Sequence, residues 1–127
     1  MKYLLMVYTD DSMMASLPAG EADSMMRHCF AKADEMQRGG VLIESQQLEE
    51  PQTAKSVRVR NGRLTVVDGP FAETKEVLGG FNLIEADSMD AALEYAKNIP
   101  WAQTGCIEVR PVRDLGDVRR RVGAPVE

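Results

Sequence analysis

Apolar positions along the chain change period several times, and each change predicts an element. Lys2 to Thr9 is a continuous apolar run of strand length, the pattern of a strand in the middle of a sheet. Asp10 to Gly20 reads as a loop. From Glu21 to Arg38, Ala22, Met25, Met26, Cys29, Ala33 and Met36 recur every three or four residues, which places them on one face of an amphipathic helix. Gly39 and Gly40 end it. Val41 to Leu48 reads as a second strand, broken at Pro51. Ser56 to Arg60 and Arg63 to Val67 flank Asn61-Gly62, a strong hairpin signal because both central residues of a type I′ turn need positive φ. Counting outward from that turn pairs Val59 with Leu64 and Val57 with Val66 on one face, and Arg58 with Thr65 on the other.

Leu78 to Glu85 reads as a further strand, with Gly79 and Gly80 marking a bulge or a close backbone approach. Asp87 or Ser88 is the expected cap of a second long helix, whose core stripe is Met89, Ala92, Leu93, Ala96 and Ile99 and which Pro100 stops. Gly105 to Val112 is the last strand, and Pro111 places its end at a sheet edge. The order is strand, helix, strand, inserted hairpin, strand, helix, strand. That is an α+β, ferredoxin-like split βαβ plan with an inserted β-hairpin. It divides the chain into a domain over residues 1–112 and a tail over 113–127. Helices cover one face of such a sheet, so an apolar open face predicts a homodimer formed through it.

Composition narrows the function classes. At 127 residues the chain suits one domain, and 44% hydrophobic with 28% charged residues is an ordinary globular balance. A formal charge of -5 argues against nucleic-acid binding, which needs a concentrated basic surface. The one basic cluster, Arg119 to Arg121, has no interleaved aromatics and lies beside Asp114 and Asp117. "MKYLLMVY" meets Asp10 and Asp11 too soon for a secretory signal, and no apolar run is long enough to span a membrane. Cys29 and Cys106 fit no metal or redox spacing, so a cytoplasmic setting with buried thiols is expected. One histidine and scattered acids supply no metal site, and no cofactor fingerprint is present. His28 falls off the apolar stripe, on or near the exposed face of its helix.

The segment "VVDGPFAETKE" is the candidate for chemistry. Connections between paired strands usually run about two to five residues, and longer ones are often functional. Asp68, Glu73 and Glu76 supply carboxylates and Lys75 a cation that would hold one of them ionised. The alternative is structural: Asp68 caps its own turn, Gly69 and Pro70 set the backbone, and the rest is a solvated loop. The functional reading makes Asp68 a base and Arg58 or Lys75 the group that stabilises developing negative charge. Tyr8, Phe71, Thr74 and Glu76 are then the ligand-binding residues, around a small polar or anionic molecule.

"DGPFAETKE", "GGFNLIEADSMDAALEYA", "IEVRPV" and "TAKSVRVRNG" together resemble the YCII-related family, in the branch with an Asp-Gly-Pro-Phe motif. The resemblance runs from "KYLLMVY" to Val112. It implies a dimeric α+β barrel of ferredoxin-like protomers with a pocket between sheet and helices. It also implies kinship with small enzymes that use no metal or organic cofactor, and an association with sigma-factor-dependent transcription that makes a transcription factor a partner to test. The His-Asp pair proposed for YCII-like members maps onto Asp68 alone, because His28 lies in the middle of the first helix.

Overall fold

The computed structural model describes residues 1–70 and 75–126. Strand β1 (Lys2–Asp10) is followed by the short helix α1 (Asp11–Ala15), helix α2 (Glu21–Arg38) and strand β2 (Leu42–Gln47). The hairpin strands β3 (Lys55–Arg60) and β4 (Arg63–Asp68) come next, then β5 (Glu76–Glu85), α3 (Met89–Lys97), β6 (Gly105–Pro111) and α4 (Leu115–Val122). The main sheet has the order β2-β5-β1-β6 with antiparallel neighbours, and β3 and β4 form a separate two-stranded sheet. This is the ferredoxin-like α+β plan, with the apolar β1 central and the Pro111 strand at an edge.

The two faces of the sheet follow from its register. Leu5 opposes Asn82 and Val109, and Tyr3 opposes Ile84. These residues face the helices, where Leu5 and Ile84 are fully buried and pack with Tyr3, Ala92, Ala96 and Ile99. Leu4, Met6 and Tyr8 alternate onto the other face together with Leu83, Phe81 and Leu78. The register shifts between Val7 and Tyr8, where β5 carries Gly79 and Gly80. A Cβ on Gly80 would stand 2.7 Å from the Gln46 carbonyl oxygen, so only glycine lets β2 and β5 meet there. The constraint is tighter at Gly105, where a Cβ would come within 1.9 Å of the Tyr8 oxygen.

The helix ends follow local chemistry. Ser88 caps α3 by accepting from the Ala91 N–H at 3.1 Å, with Asp90 in the first turn. Beyond Gly39, Gly40 takes φ 76° and the Val41 N–H returns to the Met36 carbonyl at 2.9 Å. Two helices lie where the sequence pattern predicts none. The expected loop after Thr9 contains α1, whose N-cap Asp10 accepts from the N–H groups of Ser12 and Met13. The tail contains α4, capped by Asp114 and ending at Gly123 with φ 76°. Both helices are too short for apolar periodicity to show, and their caps are the signal.

The hairpin pairs as its turn predicts, with Asn61 at φ 53° and Gly62 at φ 74°. Its apolar pairs are not buried. Val57, Val59, Leu64 and Val66 are 58–66% exposed, and no other described element packs extensively on them.

Candidate functional site

Between α2 and the helix-facing side of the sheet lies a cavity of about 510 Å³. Its apolar wall includes Val7, Met26, Phe30, Met36, Val77 and Trp101. Ser45, Asn82, Gln47 and Thr9 give it hydrogen-bonding capacity. The register explains their placement: Ser45 and Asn82 are directly opposed across β2 and β5, and the Ser45 hydroxyl donates to Asn82 Oδ1 at 2.6 Å. Gly80 keeps the neighbouring floor free of side chains. A largely apolar concave site with a few fixed polar groups is the usual form of a small-molecule site.

Cys29 also lines this cavity. Burial pushes its thiol up to about 11, against a weaker opposing effect from the Trp101 backbone N–H. It stays protonated near neutrality and is not an activated nucleophile.

A second cluster lies where β1 ends and β5 begins. Asp10 is 3% exposed, and its Oδ1 accepts from the Ser12 hydroxyl at 2.6 Å and from the Ser12 N–H at 2.9 Å. Lys75 Nζ stands 3.7 Å from Asp10 Oδ2. The Ser12 hydroxyl bond is the largest influence lowering the Asp10 pKa; burial opposes it, and the N–H groups of Met13 and Ser12 and the charge of Lys75 add to the lowering. The Asp10 N–H donates to the carbonyl of Thr104 at 3.2 Å, and the buried Thr104 hydroxyl has no hydrogen-bond partner among the described residues. Thr9 and Asp11, on either side of Asp10, both line the cavity.

The residues singled out from sequence are dispersed over these features. Asp68 is at the base of the hairpin, with its side chain 84% exposed and paired with Lys55 Nζ at 2.5 Å. Lys75 pairs with Asp10 instead. Arg58 lies on β3 opposite Thr65, and Glu76 opens β5 opposite Asp10. Tyr8 projects from the open face and donates to Glu108 Oε2 at 3.5 Å. Asp68, Lys75, Arg58, Tyr8 and Glu76 are all absent from the cavity wall among the described residues. Phe71 and Thr74, with Glu73, lie outside the described residues. His28 is exposed and borders a separate polar groove with Ser24, Lys97 and Gln103.

Sequence reasoning did not find the cavity residues Ser45, Asn82 and Trp101, nor the role of Asp10. A signal existed for two of them. Asn82 stands between Gly80 and Ile84 at the helix-facing parity of its strand, and Ser45 falls on the matching side of β2. Polar side chains at core-facing positions mark either a satisfied pair or a binding site.

Comparison with known proteins agrees with this geometry at the level of fold and family. An uncharacterised protein of Rhizobium meliloti (strain 1021) is 37% identical over 114 residues, covering 88% of this chain and 92% of that protein. A solved structure, 5-chloro-2-hydroxyhydroquinone dehydrochlorinase (TftG) from Burkholderia phenoliruptrix AC1100 in complex with 2,5-dihydroxybenzoquinone, matches with a TM-score of 0.50. It covers 89% of this chain and 94% of its own at 15% identity, so the likeness is one of fold. The YCII-related domain profile matches residues 1–116, and with sheet order, inserted hairpin and near full-length relative in agreement, the chain belongs to the YCII-related family.

Proposed function

We propose that this protein binds a small organic molecule in the cavity between α2 and the sheet, and that it does so as a homodimer joined through the open sheet face. The single observation that carries the reading is the cavity itself: about 510 Å³ with mostly apolar walls and the Ser45–Asn82 pair fixed on one side. That volume suits one compact ring or short chain carrying a hydroxyl, carbonyl or carboxylate. TftG, which shares the fold, was solved with a small quinone, and this supports a ligand of similar size here. The half-buried apolar face formed by Leu4, Met6, Phe81 and Leu83, opposite the face that carries the helices, supports the dimer.

Proton transfer on the bound molecule is the catalytic form of the same proposal. The assignment made from sequence has Asp68 as its base and Lys75 and Arg58 as the groups that stabilise negative charge; none of the three lines the cavity, so this form requires a ligand that extends from the cavity toward the base of the hairpin. Asp10 joins them as the buried partner of Lys75; held ionised below the ordinary carboxylate range, it is suited to positioning a cation and is a poor base at neutral pH. The test is a calorimetric titration with 2,5-dihydroxybenzoquinone and related phenols, followed by turnover assays of Asp68→Asn and Asp10→Asn. Saturable binding lost in Asn82→Leu supports the cavity, and no binding by any of these compounds counts against it. Turnover that survives Asp68→Asn removes that residue from the catalytic role.

One observation favours a second, regulatory reading. Helix α4 presents Leu115 and Val122 at 63% and 60% exposure beside Arg119, Arg120 and Arg121, a surface suited to a protein contact such as a transcription factor. A pull-down that loses its partner when residues 113–127 are removed, with ligand binding intact, supports that reading over an enzymatic one.

A further inference from the structure

Asn82 lies on the helix-facing side of β5, between the fully buried Leu5 of β1 and Ser45 of β2. It is half-buried and lines the cavity. An amide in such a setting costs free energy wherever its donors or its acceptor stay unpaired.

The bond to Ser45 fixes which way the amide faces. Ser45 Oγ and Asn82 Oδ1 are 2.6 Å apart, the length of an O–H···O bond and shorter than the roughly 2.9 Å usual for N–H···O. The hydroxyl therefore donates and the amide oxygen is taken. Asn82 Nδ2 keeps its N–H donors, with no partner among the described residues. Trp101 lines the same cavity and adds an indole N–H, a group that only donates and likewise has no partner among the described residues.

We infer that Asn82, oriented by Ser45, is the specificity-determining residue of the cavity, and that it selects an uncharged carbonyl compound whose oxygen accepts from Asn82 Nδ2. The inference rests on the proposed small-molecule site and narrows its ligand to one chemical class.

The charges on the wall disfavour the ionised alternatives. Lys32, the cation among the lining residues, stands 3.6 Å from Glu35, while Asp11, Glu49 and Glu50 supply carboxylates. A ligand carboxylate would leave water for mostly apolar walls with no unshared cation to receive it. A ligand ammonium is drawn to the acids, but these are exposed and lie past the ends of β1 and β2, several residues beyond Leu5 and Ser45, where water and salt screen them. At Asn82 that ammonium would set donor against donor. A neutral carbonyl meets neither penalty, and its oxygen completes the open side of the amide.

Acetophenone, benzoate and benzylamine share a ring and nearly one size, and at pH 7 they present a neutral acceptor, an anion and a cationic donor. Each is titrated into the ¹⁵N-labelled full chain while the Asn82 side-chain amide and Trp101 indole signals are followed. The expected result is a dissociation constant lower by roughly threefold or more for acetophenone than for either ion, with the Asn82 amide signals moving as the site fills. Asn82→Asp keeps an oxygen for Ser45 and replaces the N–H donors with a second acceptor, so it is expected to reverse the order and favour benzylamine over acetophenone. Ser45→Ala frees the amide to turn and is expected to narrow the wild-type gap.

Benzoate or benzylamine binding the wild type as tightly as acetophenone overturns the inference and leaves the cavity a small-molecule site. An acetophenone preference that survives Asn82→Asp does the same, and a gap unchanged in Ser45→Ala removes Ser45 from the orienting role. Binding of none of the three overturns the inference and counts against the cavity as well. Far-UV circular dichroism verifies the fold of each variant; where Asn82→Asp does not fold, the wild-type order and the Ser45→Ala gap decide.

Discussion

Lys75 Nζ stands 3.7 Å from Asp10 Oδ2, and the two partners differ sharply in setting: the Lys75 side chain is 80% exposed and the Asp10 side chain 5%. The carboxylate is therefore the fixed member, held by Ser12 and the first turn of α1, and the lysine is drawn to it from solvent. This ties the start of β5 to the end of β1 beside two cavity residues, Thr9 and Asp11.

Acid stability follows from that arrangement. The Asp10 pKa is lowered from 3.8, so the unfolded state binds the proton more readily than the folded state. The contribution of Asp10 is present above the unfolded value and is lost as pH falls through the lower folded one. Asp10→Asn keeps a capping side chain but loses the charge, and Asp10→Ala loses both. Urea unfolding at pH 7 is expected to rank wild type above Asn and Asn above Ala, with the wild-type advantage over Asn shrinking below pH 3.8.

Asp68 gives the opposite outcome. Its ion pair with Lys55 is largely solvated, and such pairs are worth about 0–1 kcal/mol. Asp68→Asn is expected to change unfolding stability by less than about 1 kcal/mol. Any loss of binding or turnover in that variant is then chemical in origin, which makes it the appropriate variant for the assay.

Cys29 reports on the cavity. With its thiol pushed up to about 11, iodoacetamide at pH 8 is expected to alkylate it roughly 100-fold more slowly in the folded protein than in urea. Peptide mass spectrometry distinguishes it from the exposed Cys106. Equal rates at Cys29 in both states would show that this wall is open to solvent.

Core and backbone variants set the scale. Leu5→Ala removes a fully buried side chain and is expected to cost about 2–5 kcal/mol. Gly105→Ala drives a methyl group into the Tyr8 carbonyl and is expected to reach or exceed the usual overpacking range of about 1–3 kcal/mol. Chemical denaturation measures both.

The fold was largely legible in the sequence because its signals are local and repeated. The continuous apolar run of β1, the three- and four-residue spacing of α2, Asn61-Gly62 and the Ser88 cap each specify one element. Helices α1 and α4 escaped because five and eight residues are too few for periodicity to stand out. The candidate site was less legible. Which carboxylate a lysine meets depends on where two strands end in space, and nothing in "DGPFAETKE" shows that Asp10, far earlier in the chain, would be the partner of Lys75. Asn82 and Ser45 were open to a reading by parity, whereas Trp101 enters the cavity from a turn, Pro100–Gln103, that carries no periodic signal.

The central claim is that the cavity between α2 and the sheet takes a small molecule. Trp101 is the single tryptophan and lines that cavity, so its indole N–H gives one resonance that reports on occupancy. Titrating ¹⁵N-labelled protein with phenol is the direct measurement. A saturable shift of the Trp101 indole signal, accompanied by Asn82 and Ser45 and abolished when Ala33→Phe fills the space, is the predicted result. An indole signal that stays fixed while resonances elsewhere move would contradict the account.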